Sequence, residues 1–112
     1  MTALIPLLLA QAQPAQAPAP TQQTAYPALQ ECAAQYARNF AARSRETATV
    51  IADAALGACA TQEIAFAQTV FNAFPLDRAG SRDAQGTFNF RIERLRRQLI
   101  AVVLDERIKR GM

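Results

Sequence analysis

The chain has no histidine among its 112 residues, and Cys32 and Cys59 are its only cysteines. Histidine is the commonest general base and the commonest metal ligand, so its absence weighs against most hydrolases and metal enzymes. Two thiols alone do not complete a zinc site, and these two lack the Cys-x-x-Cys spacing of redox pairs. No apolar run reaches the roughly 20 residues of a membrane span. We therefore expect no cofactor, no metal and no catalysis.

The N-terminal quarter of the chain contains two segments that we expect to lie outside the folded domain. Residues 1–12 hold a short apolar run that ends in Ala10-Gln11-Ala12, the small-x-small form that signal peptidase accepts. Residues 13–27 are almost entirely Ala, Gln, Pro and Thr, and their prolines prevent a helix from propagating. The sequence thus predicts a signal peptide at 1–12, a disordered linker at 13–27 and a helical domain at 28–112. No Lys or Arg precedes the apolar run, which leaves an ordinary helix start as the alternative.

Helical periodicity predicts that the domain is all-α, with three helices. A first helix over 28–42 follows Pro27, and a second starts near Arg45, capped by Ser44. We expect the second helix to continue to Phe74, where Pro75 stops it; a restart capped by Thr61, after Gly57 and Cys59, is the alternative. Residues 75–86 collect turn formers and charges, which predicts a surface loop before a helix over 88–109 capped by Thr87. The predicted apolar face of the first helix comprises Leu29, Cys32, Ala33, Tyr36, Ala37 and Phe40, and that of the second comprises Val50, Ile51, Ala54, Ala55 and Ala58.

The two cysteines occupy matching places in the predicted helical hairpin. If the chain reverses near residues 43–44, Cys32 and Cys59 both lie roughly 18–22 Å from the turn at 1.5 Å per residue. They would then face each other, and a disulfide would link the two helices. Two free thiols in a cytosolic protein are the alternative.

The last predicted helix is apolar on two sides. One face carries Phe88, Ile92, Leu95, Leu99, Val102 and Val103 at helical spacing and closes the bundle. On another side, roughly opposite, Ile100, Leu104 and Ile108 recur every four residues, together with Phe90. Such a second stripe indicates either additional neighbours or a surface offered to another chain, and an irregular helix end is the alternative. We take Ile100, Leu104 and Ile108 as candidate partner-binding residues.

The same helix carries most of the positive charge. Residues 75–112 hold nine bases and five acids, whereas residues 13–74 hold three bases and four acids. Arg94, Arg97 and Arg107 are therefore further candidates for binding an acidic partner or an anionic envelope surface. The alternative is a solvated face with three acid-to-base pairs at i,i+4 spacing, which are Glu93 with Arg97, Asp105 with Lys109 and Glu106 with Arg110.

These features favour a non-catalytic binding or structural module outside the cytoplasm, periplasmic or secreted, whose last helix meets a protein partner or a second copy of the chain. A cytoplasmic nucleic-acid-binding or regulatory protein is the alternative, although no aromatic residues interleave with the arginines as stacking platforms. An enzyme is disfavoured because its candidate acids, Glu46, Asp53 and Glu63, are not forced onto one face with a nucleophile.

Overall fold

The computed structural model describes residues 20–112, so the predicted signal peptide and residues 13–19 of the predicted linker lie outside the described residues. Within them the chain forms four helices and no strand: α1 (Gln22–Arg43), α2 (Ala48–Ala58), α3 (Ala60–Asn72) and α4 (Arg78–Lys109). The all-α prediction and the helical hairpin are confirmed. The described residues form four helices rather than three because the second predicted helix breaks at Cys59 into α2 and α3, close to the restart that the sequence left open.

The first helix begins earlier than predicted, at Gln22 rather than residue 28, so the predicted linker overlaps its first turns. Thr21 caps α1, and the backbone NH of Thr21 donates to Oγ1 of Thr24 at 3.0 Å. Pro27 lies inside the helix. It is exposed, as is Gln23, whose carbonyl lies four residues before it and loses a helical donor. Water can reach that carbonyl, which lowers the cost of the proline.

Small residues let α1 and α2 pack closely. Ala33, Ala37 and Ala41 of α1 are fully buried, and Ala52 and Ala55 of α2 are fully buried as well. The buried face of α2 is therefore turned by about one residue from the predicted one. It comprises Ile51, Ala52, Ala55 and Leu56, whereas Val50, Ala54 and Ala58 are exposed. The start of α2 also differs from the prediction, since Thr47 is its N-cap and Oγ1 of Thr47 accepts from the NH of Val50.

A disulfide joins Cys32 to Cys59, with the two Cα atoms 6.1 Å apart, as the sequence predicts. Cys32 lies in the middle of α1, and the fully buried Cys59 lies at the junction of α2 and α3. At this junction the chain bends by 76°. The bend turns α3 away from the axis of α2. The disulfide therefore fixes the α2–α3 junction, which we call the corner, to α1.

The longest helix, α4, packs against all three others. It begins at Arg78, ten residues before the predicted start, because Asp77 caps it by accepting from the NH of Gly80 at 2.6 Å. Its fully or almost fully buried residues include Leu95, Leu99 and Val103, and Phe88, Ile92 and Val102 pack partly buried beside them. The predicted core face of this helix is therefore confirmed.

None of the helices described is long and apolar enough by itself to cross a membrane, although α2 and α3 together meet the length and composition criteria as a bent pair.

Candidate interaction surface

The side of α4 that points away from the bundle carries exposed apolar residues. Phe90 is 66% exposed, Leu104 50% and Ile108 77%. Phe90 and Ile108 each lie nine residues from the buried Leu99, which is roughly two and a half turns at 3.6 residues per turn, so they lie on the opposite side of the helix. We call Phe90, Arg94, Arg97, Ala101, Leu104 and Ile108 the outer stripe; all six are exposed.

The six candidate partner-binding residues divide into two groups. Leu104, Ile108, Arg94 and Arg97 lie in the outer stripe, and the structure brings them together on one face. Ile100 is half-buried and packs against the core, and Arg107 is half-buried as well. Four of the six residues thus lie on the outward surface, while Ile100 and Arg107 contribute mainly to the bundle.

Arg107 of α4 forms hydrogen bonds to the backbone of the turn between α1 and α2. Its Nη2 donates to the carbonyl of Ser44 at 2.8 Å and to that of Glu46 at 2.6 Å. These carbonyls belong to the end of α1 and to the turn that follows it, where helical donors are missing. Sequence periodicity could not reveal this contact, because it joins residues about 60 positions apart through backbone atoms.

Ion pairs neutralise much of the basic surface of α4. The three predicted pairs are present, with Arg97 3.9 Å from Glu93, Lys109 3.1 Å from Asp105, and Arg110 2.8 Å from Glu106. Another pair, unforeseen from the sequence, joins helices, since Nε of Arg96 donates to Asp53 at 2.7 Å. This hydrogen bond, reinforced by the charge of the carboxylate, raises the pKa of Arg96 above its ordinary value. Exposed pairs of this kind contribute little stability each.

An aromatic column with an arginine above it joins α1, α3 and α4. The rings of Tyr26 and Phe66 are 5.0 Å apart, and those of Phe66 and Phe88 are 5.9 Å apart. The guanidinium of Arg91 lies 4.2 Å from the centre of the Tyr26 ring, a cation–π contact. Helical periodicity does not reveal this cluster, because Tyr26 lies within the predicted linker. The aromatic character of Tyr26 in a segment of Ala, Gln and Pro is the one local signal that could have found it.

The candidate acids of the enzyme alternative are dispersed. Asp53 pairs with Arg96, Glu46 is exposed beside the α1–α2 turn, and Glu63 is half-buried in the first turn of α3. Among residues 20–112, no group of three or more Cys, Asp or Glu side chains could hold a metal ion.

No protein-family model, curated protein or solved structure matches this chain significantly. The class is therefore defined by the fold itself: a small all-α protein whose described residues form four helices, with one disulfide that links α1 to the junction of α2 and α3. Its most distinctive surface is the exposed outer stripe of the longest helix.

Proposed function

We propose that this protein is a non-catalytic helical binding or structural module that acts outside the cytoplasm, in the periplasm or as a secreted protein, and that it binds a protein through the outer stripe of α4. The observation that carries the proposal is the exposure of Phe90, Leu104 and Ile108 opposite the buried Leu99. A helix that packs one side into its own core and exposes large apolar residues on the other indicates an interaction site.

The disulfide supports a location outside the cytoplasm, because disulfides persist in oxidising compartments and are rare in the cytosol. The signal-like segment at 1–12 supports the same location on sequence grounds. A small domain without a large core also gains most from such a crosslink.

The charge distribution supports a protein partner over nucleic acid. Of the seven basic residues from Arg91 to Arg110, six contact an acid, a backbone carbonyl or an aromatic ring within the chain. Nucleic-acid binding depends on Lys and Arg side chains that are free to neutralise phosphates. Arg78, Arg82 and Arg94 are exposed and make no ion pair within residues 20–112, and they keep the cytoplasmic nucleic-acid-binding protein as the second candidate.

Intact mass of the protein from its native cells, taken under thiol-blocking conditions, tests the location. We expect a chain that begins at Gln13 and carries no blocking group. A full-length chain with both thiols blocked would contradict export, and nucleic-acid binding would become the leading candidate.

Crosslinking in native cells tests the surface. We expect Leu104→Glu combined with Ile108→Glu to abolish the crosslinked complex while far-ultraviolet circular dichroism stays unchanged. The matched control is Ile64→Glu combined with Leu76→Glu, because both residues are exposed and apolar but lie outside α4. A complex that survives the α4 substitutions, or is lost equally in the control, would contradict the proposal.

A further inference from the structure

We infer that the partner of the outer stripe is a second copy of this chain, whose α4 packs antiparallel to the first about a twofold axis at Leu99. This inference rests on the proposed function, since it names the occupant of the same surface. The symmetry of the outer stripe, the shape of its surface and its charges each favour a second copy.

The positions of the outer stripe are symmetric about Leu99, although the paired residues differ in type. Phe90 and Ile108 lie nine residues on either side of it, Arg94 and Leu104 five, and Arg97 and Ala101 two. Successive members are separated by four and three residues in alternation, which is the spacing of a coiled-coil seam. A twofold dimer requires a surface in which residue i meets residue j and residue j meets residue i. An antiparallel pair centred on Leu99 meets this condition, placing Phe90 against Ile108 of the second copy and Arg94 beside its Leu104.

The surface of the outer stripe has a depression that fits this antiparallel register. It is lined by Phe90, Glu93, Arg94 and Arg97, which are residues i, i+3, i+4 and i+7 of one helix. Four residues in this arrangement form the hole that receives one knob from a facing helix. In the antiparallel register the residue opposite the centre of the hole is Leu104 of the second copy, which is half exposed.

The charges favour the antiparallel direction. Arg94 makes no ion pair within residues 20–112, and Asp105 is exposed, bonded to Lys109 at 3.1 Å. Arg94 and Asp105 are eleven residues apart on one helix, or about 16 Å, too far to pair with each other in one chain. In the antiparallel dimer, Arg94 of one copy and Asp105 of the other lie on the same side of the interface and at nearly the same position along the helix axes. The twofold axis repeats this contact, so that two Arg94–Asp105 pairs form between the copies. A parallel in-register dimer would instead place Arg94 and Arg97 against their own copies.

The seam from Phe90 to Ile108 is about 27 Å long. One helix pair of this length buries less surface than a standard interface of about 1,200–2,000 Å². The dimer is therefore weak and dissociates on dilution.

The test is sedimentation of the oxidised chain that begins at Gln13, the mature form expected under the proposed function, over a dilution series, with charge exchange at the predicted contact. We expect concentration-dependent dimerisation of the wild type. Arg94→Asp and Asp105→Arg each place two like charges opposite each other at both of the 94–105 contacts between the copies. Each substitution should therefore weaken the dimer about tenfold. The double variant, which exchanges the two charges, should restore most of the affinity. Arg82→Asp is the matched control, since it makes the same change on an exposed residue of α4 outside the seam, and it should leave dimerisation unchanged.

A wild type that stays monomeric at every concentration would overturn the inference. So would single variants that dimerise as tightly as the wild type, or a double variant that dimerises no more tightly than the single variants. If the isolated chain is monomeric but the crosslinked complex in native cells contains a different protein and depends on Leu104 and Ile108, the dimer is wrong and the proposed function stands. If the charge exchange behaves as expected but the native chain retains residues 1–12 and free thiols, the dimer stands and the proposed location is wrong.

Discussion

Reduction of the Cys32–Cys59 disulfide is expected to lower the melting temperature of the protein substantially. The crosslink closes a loop between residues 27 positions apart and removes chain entropy from the unfolded state. In the chain-entropy model a loop of this length contributes on the order of 3.5 kcal/mol. A change of 1 kcal/mol shifts the melting temperature of a domain of this size by about 4–8 °C. We therefore expect a decrease of about 15–25 °C.

The location of the crosslink supports a large effect. Cys59 is fully buried at the junction where the chain bends between α2 and α3, and Cys32 lies half-buried on α1. Without the bond, α1 and α2 pack beside the corner through small side chains such as Ala33 and Ala55, and Phe66 holds α3 to α1 through its contact with Tyr26. Alanine contributes little apolar area for burial, so the packing at this corner replaces only part of the lost constraint.

The assay compares thermal unfolding, followed by far-ultraviolet circular dichroism, of the oxidised protein and of protein refolded in reductant. Refolding is needed because reductant reaches the buried Cys59 poorly in the native state. The double variant Cys32→Ala with Cys59→Ala is the control: its melting temperature should be low in both conditions and should not respond to reductant. Equal melting temperatures of oxidised and reduced wild type would refute the reasoning.

Two further predictions concern glycine and arginine positions and are measured by denaturant unfolding. Gly80→Ala should destabilise the protein by about 1–3 kcal/mol because the added Cβ overlaps the carbonyl of Pro75. As the control, Gly86→Ala places its Cβ in open space in the same helix and should stabilise the protein by about 0.5–1 kcal/mol. A Gly80→Ala variant as stable as the wild type would contradict the close approach of Gly80 to Pro75. Arg107→Gln should cost about 1.5–3 kcal/mol because two carbonyls of the α1–α2 turn lose a charged donor, and Arg38→Gln, an exposed residue without an ion pair in the described chain, should change stability by less than about 0.5 kcal/mol. Equal effects of the two arginine substitutions would show that the turn does not depend on Arg107.

Much of the fold follows from local regularities in the sequence. The core face of α4 was predictable because Leu95, Leu99 and Val103 recur at helical spacing beside a polar flank. Its ion pairs were predictable because acid and base four residues apart on an exposed helix are neighbours whatever the tertiary structure. The disulfide followed from the hairpin, since both cysteines lie at similar distances from the turn.

The differences arise where a cap or a distant contact outweighs composition. Residues 22–27 fall within the predicted linker because of Pro27 and the Ala, Gln and Thr around it, yet Tyr26 packs on Phe66 and under Arg91. This burial stabilises the first turns of α1. Similarly, Gly80 and its polar neighbours predict a loop, but Asp77 caps the helix and Gly80 fits against Pro75, where any side chain would collide. Neither contact leaves a periodic signal in the sequence.

The disulfide and the outer stripe are mechanically connected through α4. The N-terminal half of the seam, at Phe90, follows Phe88, which contacts Phe66 of α3, whereas the C-terminal half, at Ile108, adjoins Arg107, which is held by the α1–α2 turn. The seam can match a twofold partner only while both halves lie on one straight helix. Because Cys59 is the N-cap of α3, the crosslink fixes the helix that supports the Phe90 end, while Arg107 fixes the other end independently of it. Reduction should therefore disturb the Phe90 end of the outer stripe before the Ile108 end. In the proposed dimer, where Phe90 meets Ile108 of the second copy, loosening one end would weaken both halves of the interface.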